Sequence, residues 1–378
     1  MSKQSAPPAF IHTERYKKFD YGKHHPLRIA RLGLTRELIG LVGLDETYYD
    51  FPAATMEDLA EFHDRYYLET LKELSETKNL RGFGSFGLGP GDNPIFPGVY
   101  EWSTLMTGAS LKAAQMVVEE KRPAAFSMAG GMHHGLAARA SGFCYVNDPV
   151  LVIKRLLQKD LRVVYLDLDA HHGDGVQWAF YETDQVMTIS LHQHPATLFP
   201  GTGYIEEQGR GKGRGYSVNI PLWPDTEDEI YIRCFDSLVP DLIQAFNPDY
   251  LVTQLGVDAL LTDPLANLNL TTRGLAHCMR AIKEMAWGRW IALGGGGYNV
   301  VNVARVWTML WAIMMDEEDK LPEHLPQEFS DNLRLPKDER RLLDPQELIR
   351  GRFWKRAGRD ADDVIELVRK EIFPVHGI

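Results

Sequence analysis

Between Ala124 and Met315 the chain alternates short apolar runs with helical stretches, with no low-complexity linker and no internal sequence repeat. A helix expected over Ser103–Glu120 leads into a strand over Ala124–Met128, and a helix over Val150–Gln158 leads into a strand over Arg162–Leu168. A strand over Gln185–Leu191 follows. Thr226 and Glu229 have capping-box spacing, and Tyr231, Phe235, Leu238 and Leu242 then recur at helical spacing as far as Asn247-Pro248. The strand Tyr250–Leu255, the helix Thr272–Trp287, the strand Arg289–Leu293 and an apolar helix over Val300–Met315 complete the pattern, with Trp307 and Trp311 expected in the core. Such alternation implies right-handed crossovers and a mostly parallel sheet with helices on both faces. The expected fold class is therefore α/β, a single domain over residues 1–378 with its core at about 21–315. Residues 316–378 read as a charged extension packing on the surface, with a final helix over Ala361–Ile372.

The N-terminal third reads less clearly. Residues 1–30 look irregular, with a turn at Tyr21–Pro26, before helical spacing over Ile29–Val42 and again over Met56–Leu74. Arg81–Gly98, rich in glycine and proline, reads as a long loop, and loops of that length are often functional. No run of 18 apolar residues and no signal-peptide core is present, so a soluble cytoplasmic protein is expected. A formal charge of -11 disfavours nucleic acid as a direct partner but suits a lysine-rich peptide. Cys144, Cys234 and Cys278 form neither a disulfide framework nor a zinc spacing. The basic run Gly209–Gly215 reads as a mobile surface loop, with phosphate binding as the alternative.

Ligands of open α/β sheets bind beyond the carboxyl ends of the strands. The expected strands end close to His133-His134, Asp169–His171, His192, Asp258 and Tyr298. The densest of these stretches, Val163–Val176, runs V-V-Y-L-D-L-D-A-H-H-G-D-G-V with no basic residue to pair its carboxylates. Burying an ionised carboxylate costs several kcal/mol unless it is compensated, and a cation is the natural compensation. If the strand persists, Asp169 and His171 share a face about 6.6 Å apart at Cα, close enough to converge on one ion. Asp258 could supply a third ligand, giving a catalytic zinc site or an iron(II) site with an open position. His133 and His134 would each need an orienting carboxylate, for which Asp167 and Asp174 are available. Two His-Asp dyads beside a metal can activate water and protonate a leaving group. Tyr298, after four glycines, could donate to a developing oxyanion. These residues describe a mononuclear metallohydrolase attacking a carbonyl.

The stretches G-G-M-H-H, S-G-F-C-Y-V-N-D, D-L-D-A-H-H-G-D-G-V, F-P-G-T-G, Q-L-G-V-D and L-G-G-G-G-Y resemble the zinc-dependent histone deacetylase family, within the arginase-deacetylase superfamily. They run in that family's order from about Tyr21 to Met315, and the pattern is nearest to class I enzymes and bacterial deacetylase-like and acetoin-utilisation proteins. The resemblance implies zinc ligation by Asp169, His171 and Asp258. It implies His134 as general base and acid with His133 as electrostatic partner, Asp167 and Asp174 as orienting carboxylates, and Tyr298 as the carbonyl-polarising residue. It further implies a substrate tunnel of Phe143 and Phe199 with Gly142 and Leu265 nearby, a rim aspartate at Asp92, and Arg31 at the inner end of the acetate pocket. Potassium is implied at Asp167, Asp169, His171, Ser190 and Leu191, and at a second site of Phe180, Thr183, Val186 and Tyr216.

The activity so implied is hydrolysis of acetyl-lysine, or another acyl-lysine, in a protein or peptide. Three alternatives remain beside it. Arginase-like chemistry would need a second metal and a late D-x-D pair, where this chain has G-V-D-A. An acetylpolyamine deacetylase would share the catalytic set, although no clear acidic gatekeeper stands near Leu265. A catalytically silent acyl-lysine scaffold would have no use for intact ligands, dyads and Tyr298. His172 carries no assigned task.

Overall fold

The computed structural model describes residues 6–45, 47–77, 86–89, 91–345 and 350–378. Its strands are β1 (Ala9–Ile11), β2 (Tyr48–Tyr49), β3 (Ala124–Ser127), β4 (Val163–Asp167), β5 (Val186–Gln193), β6 (Ser217–Leu222), β7 (Tyr250–Gln254) and β8 (Trp290–Leu293). They form one wholly parallel sheet in the order β2-β1-β3-β8-β7-β4-β5-β6. The central strands are buried on both faces, which is why A-A-F-S, V-V-Y-L-D and W-I-A-L read as continuous apolar runs rather than alternating ones.

The helices are α1 (Ala30–Leu41), α2 (Met56–Leu59), α3 (Arg65–Thr77), α4 (Val99–Val118), α5 (Asp148–Leu157), α6 (Asp174–Ala179), α7 (Asp228–Phe246), α8 (Thr272–Met285), α9 (Val300–Met315), α10 (Gln327–Asn332) and α11 (Trp354–Glu371). Helix α9 is apolar on nearly every side and packs between α1 and α8. Trp307 and Trp311 are core residues as expected, their indole N–H groups donating to Leu255 O and Asp45 O. Among the described residues no helix is long and apolar enough to cross a membrane. All three cysteines are buried free thiols.

Several local expectations are corrected. Residues 1–30 are not wholly irregular, because Ala9–Ile11 is a strand; three residues are too few to show a period. β6 contains Pro221, which argues against an interior strand, but β6 is an edge, where the missing N–H costs no ladder bond. The stretch Met56–Leu74 is two helices rather than one. Thr55 and Asp58 close a capping box on α2, and Asp64 then accepts from Tyr67 N to start α3 afresh. The capping box expected at Thr226 does not form: the Thr226 hydroxyl donates to Trp223 O, and Glu227 caps α7 by accepting from Glu229 N. α11 starts at Trp354 rather than Ala361, and packs against α7 and β6 through Ala357, Ala361, Val364 and Val368.

The basic run 209–215 is tied down as a tight turn. Arg210 N donates to Tyr181 O, Gly215 N to Gln208 O, and the Arg210 guanidinium pairs with Glu182. Within the glycine-rich stretch expected as a loop, residues 81–85 and 90 lie outside the described residues, while 91–98 form a loop leading into α4.

His63, in the break between α2 and α3, is buried against the site. Its Nδ1 lies 3.1 Å from Leu136 O, and its Nε2 accepts from Asn147 N at 3.0 Å. Burial holds its pKa at about 4 against 6.5, so it folds neutral and is denied a proton that the unfolded chain binds. Its contribution to stability is complete above pH 6.5 and is lost as pH falls towards about 4. The loss should be about 1.4 kcal/mol per pH unit, about 3 kcal/mol in all. Urea unfolding at pH 7 and pH 5 checks this: between those two values His63→Gln should remove about 2 kcal/mol of the pH dependence, and an unchanged slope would refute it.

Candidate metal and catalytic site

His133-His134, Tyr298, Asp258, Asp169–His171 and His192 stand at or just beyond the carboxyl ends of β3, β8, β7, β4 and β5, five adjacent strands. A parallel sheet points every such end to one side, so loops distant in sequence meet there. The strand expected to carry Asp169 and His171 ends at Asp167. Those two residues are therefore placed by the loop that follows, not by strand alternation. That loop is held by its own carboxylates: Asp169 N donates to Asp167 Oδ1 at 3.1 Å, and Ala170 N to Asp258 Oδ1 at 2.8 Å.

Asp169, His171 and Asp258 are buried, and their donor atoms lie within 4.8 Å of one another. His171 Nδ1 is 3.1 Å from Asp169 Oδ1 and 2.9 Å from Asp258 Oδ2. Burial and the neighbouring Asp169 push the Asp258 carboxyl up. Burial alone would lower His171, but the two carboxylates overcome it and raise its pKa to about 10. Both shifts reflect excess negative charge converging on one point, and two oxygens and one imidazole nitrogen fit a divalent transition metal.

Each histidine of the adjacent pair has its own carboxylate. His133 Nδ1 is 2.7 Å from Asp167 Oδ2, and His134 Nδ1 is 2.7 Å from Asp174 Oδ1. The two Nε2 atoms face each other at 3.0 Å, so they cannot both carry a proton cheaply. Their environments separate them. Burial lowers both, but Asp167 and Asp169 reverse this at His133 and raise it to about 9. At His134 burial and the charge on His133 win over Asp174 and lower it to about 4. Near neutral pH the pair therefore holds its proton on His133 and leaves His134 free to accept one.

Tyr298 follows β8 through Gly294–Gly297, its ring edge-on to His171 at 6.2 Å and to Phe143 at 5.6 Å between centroids. Burial and the charges of Asp258 and Asp169 hold its phenol well above the usual value, so it stays a donor. Phe199 packs edge-on against His134 at 5.0 Å and is 43% exposed, which places it at the mouth. Gly142, at φ +49°, lies where a Cβ would come within 2.5 Å of His134 Cδ2 and 2.8 Å of Phe199 Cε1. A side chain there would close the gap over His134. Leu265 is half-buried, with its N–H donating to Asp263 Oδ1.

Asp92 is exposed at the rim, where its carbonyl lies 3.1 Å from His25 Nε2; His25 in turn packs edge-on to Phe143. Arg31 is buried over Trp307, 5.1 Å from the ring centroid, and donates to Gly297 O and Gly295 O. It thus holds the glycine turn from beneath.

The residues expected around potassium are grouped as two sets. Ser190 and Leu191 lie on β5 beside β4, with the Ser190 hydroxyl 2.8 Å from His192 Nδ1. Phe180, Thr183, Val186 and Tyr216 flank the start of β5, where the Phe180 and Tyr216 carbonyls already accept from Thr183 N and Thr188 N.

Other contributors were not singled out from the sequence. Gln254, at the end of β7, donates to Asp169 Oδ2 at 2.6 Å and orients that carboxylate. Tyr165 donates to Asp167 at 2.8 Å. Asn147 Nδ2 donates to His133 O and Gly135 O, while Asp148 accepts from Gly131 N and Met132 N, so this pair holds the histidine loop at both ends. The only hint was the position of Gln254 and Asn147-Asp148 inside quoted motifs. His172, unassigned before, pairs with Thr202 Oγ1 at 2.9 Å and Gln177 Oε1 at 3.2 Å, fastening the loop that carries Phe199 to α6.

Residues 25–314 match the family model of the histone deacetylase domain. The chain belongs to the histone deacetylase family. It is 40% identical over 305 residues to histone deacetylase B of Dictyostelium discoideum, covering 79% of this chain and 71% of that protein. A crystal structure of an HDAC homologue from Aquifex aeolicus superposes with a TM-score of 0.88 at 33% identity, over 96% of this chain and 100% of the other. An HDAC homologue complexed with SAHA gives 0.87, with the same identity and coverage. The parallel sheet with its flanking helices is the arginase-deacetylase fold. Membership makes this histone deacetylase relative a hydrolase of amide bonds, in a family that is generally metal-dependent.

Proposed function

We propose that the chain hydrolyses the side-chain amide of acetyl-lysine, or another acyl-lysine, in a protein or peptide, with zinc held by Asp169, His171 and Asp258. One observation carries this reading: two His-Asp dyads with opposite proton preferences meet beside the buried carboxylate-imidazole donor set. Zinc bound there would act as a Lewis acid on the amide carbonyl and lower the pKa of water. His134, neutral, takes the proton of the attacking water while Asp174 stabilises the resulting imidazolium. The Tyr298 phenol donates to the oxyanion that forms as the carbonyl carbon becomes tetrahedral. The C–N bond then breaks, the lysine nitrogen receives the proton from His134, and the carboxylic acid and the amine leave. The charge on His133 favours the oxyanion and keeps His134 a poor resting place for the proton. Potassium at the two sets around β5 is part of the same proposal.

The acetylpolyamine reading gains no support at the rim. Asp263 lies two residues from Leu265 but is buried, with its oxygens committed to backbone N–H groups rather than facing an incoming cation. Purified protein should be assayed on acyl-lysine peptides and acetylpolyamines, with metal content measured in parallel. Acetyl-lysine peptide should be turned over at least about tenfold better in kcat/KM, a difference of about 1.4 kcal/mol in transition-state binding, with one zinc per chain. The reverse preference would overturn the substrate, and two metals with urea release would restore the arginase-like reading. Peptide binding without hydrolysis by zinc-loaded protein would make it a scaffold.

A further inference from the structure

The turn from Gly294 to Tyr298 has no side chain before the tyrosine with which to define its path. Glycine is the residue that loses most backbone freedom on folding, so four in succession must be held from outside. Nor could larger residues replace them: a Cβ on Gly296 would lie 2.3 Å from Asp258 Oδ2, and one on Gly297 would lie 2.5 Å from Val257 Cγ2. Main-chain bonds hold its first half, with Leu255 N donating to Gly294 O at 2.8 Å and Val257 N to Gly296 O at 3.0 Å, and three side chains grip the rest. Arg31 donates to Gly295 O at 2.7 Å and Gly297 O at 2.9 Å, and Asp169 Oδ2 accepts from Gly296 N at 2.8 Å. At the last residue the grip passes to Asp263. Its Oδ2 accepts from Tyr298 N at 2.7 Å and from Asn299 N at 3.4 Å, while its Oδ1 accepts from Leu265 N at 3.0 Å.

We infer that Asp263 is a positioning residue that sets Tyr298 for oxyanion donation and ties it to the tunnel wall at Leu265. The inference rests on the reading of Tyr298 as oxyanion donor. Asp263 is 6% exposed and, among the described residues, its hydrogen bonds run to no Lys, Arg or His, so its carboxylate serves backbone donors on two loops. Both oxygens are needed as acceptors. An asparagine can accept with only one, and its amide would turn an N–H towards either Tyr298 N or Leu265 N. The phenol would then be free to drift from the carbonyl while the metal ligands stayed in place.

A double-mutant cycle tests this. Asp263→Asn should keep its metal and lower kcat by about 10- to 100-fold, the scale of a displacement of about 1 Å at a reacting group. In a Tyr298→Phe background the same change should cost less than about threefold, because the group it positions is already gone. An equal loss in both backgrounds, or unchanged kcat in the single variant, would overturn the inference while leaving Tyr298 its role. Unchanged turnover in Tyr298→Phe would instead remove the role of Tyr298 itself. If Asp263→Asn does not fold, Asp263→Glu, which keeps both acceptors but displaces them, enters the same cycle. Failure of both to fold would make Asp263 a residue of the fold and sink the inference.

Discussion

Replacing His134 with alanine should lower kcat by about 100- to 10,000-fold, the range expected when a general base is removed. The reason lies in how differently the two adjacent imidazoles are charged. Burial and the neighbouring imidazolium hold His134 down at about 4, and the Asp167 and Asp169 carboxylates lift His133 to about 9. A group with a depressed pKa is in its neutral, accepting form throughout the physiological range. The acid limb of kcat/KM should therefore lie below the ordinary histidine value of 6.5, and the alkaline limb should rise towards 9 as His133 gives up its charge. Metal content should be retained, since none of Asp169, His171 and Asp258 hydrogen-bonds to His134. A pH-rate profile of the unmodified protein and metal analysis of the variant would check these; loss of metal along with activity would assign His134 to the metal site instead.

Tyr298→Phe should cost about 100- to 1000-fold in kcat, as the removal of one preorganised oxyanion donor does elsewhere. The ring would keep its edge contacts with His171 and Phe143, and Asp263 would still hold the backbone N–H, so only the hydroxyl is lost. The interaction lost exists mainly in the transition state, so KM should change little. The burial that keeps the phenol protonated also places its hydrogen bond in a less polar medium, where it is stronger than one in water. Steady-state kinetics on an acetyl-lysine peptide decides this, with unchanged turnover as the contrary result.

The central sheet was legible because strands buried on both faces must be apolar throughout, and Ala124, Val163, Tyr250 and Trp290 each open such a run. The edges were not. Ala9–Ile11 and Tyr48–Tyr49 are shorter than any period, and β6, which contains Pro221, was not among the expected strands. Helix starts failed where a neighbouring loop competed for the cap, as at Thr226, whose hydroxyl turned back to Trp223.

In the site, residue types alone pointed to Asp169, His171 and Asp258 as a metal-binding group, because unpaired carboxylates at strand ends demand a cation. The sequence likewise marked His133 and His134 as needing two carboxylates, and Asp167 and Asp174 as those available. Which carboxylate serves which histidine was decided only by the fold, since it depends on how the β3 loop lies across the β4 loop. The same holds for the separation of the two histidines to about 9 and about 4, which arises from burial and charges brought close in space. Gln254 and Asp263 show the limit most plainly. Their roles depend on hydrogen bonds to Asp169 and to the Tyr298 backbone, residues 85 and 35 positions away, and no local pattern records a partner at that distance.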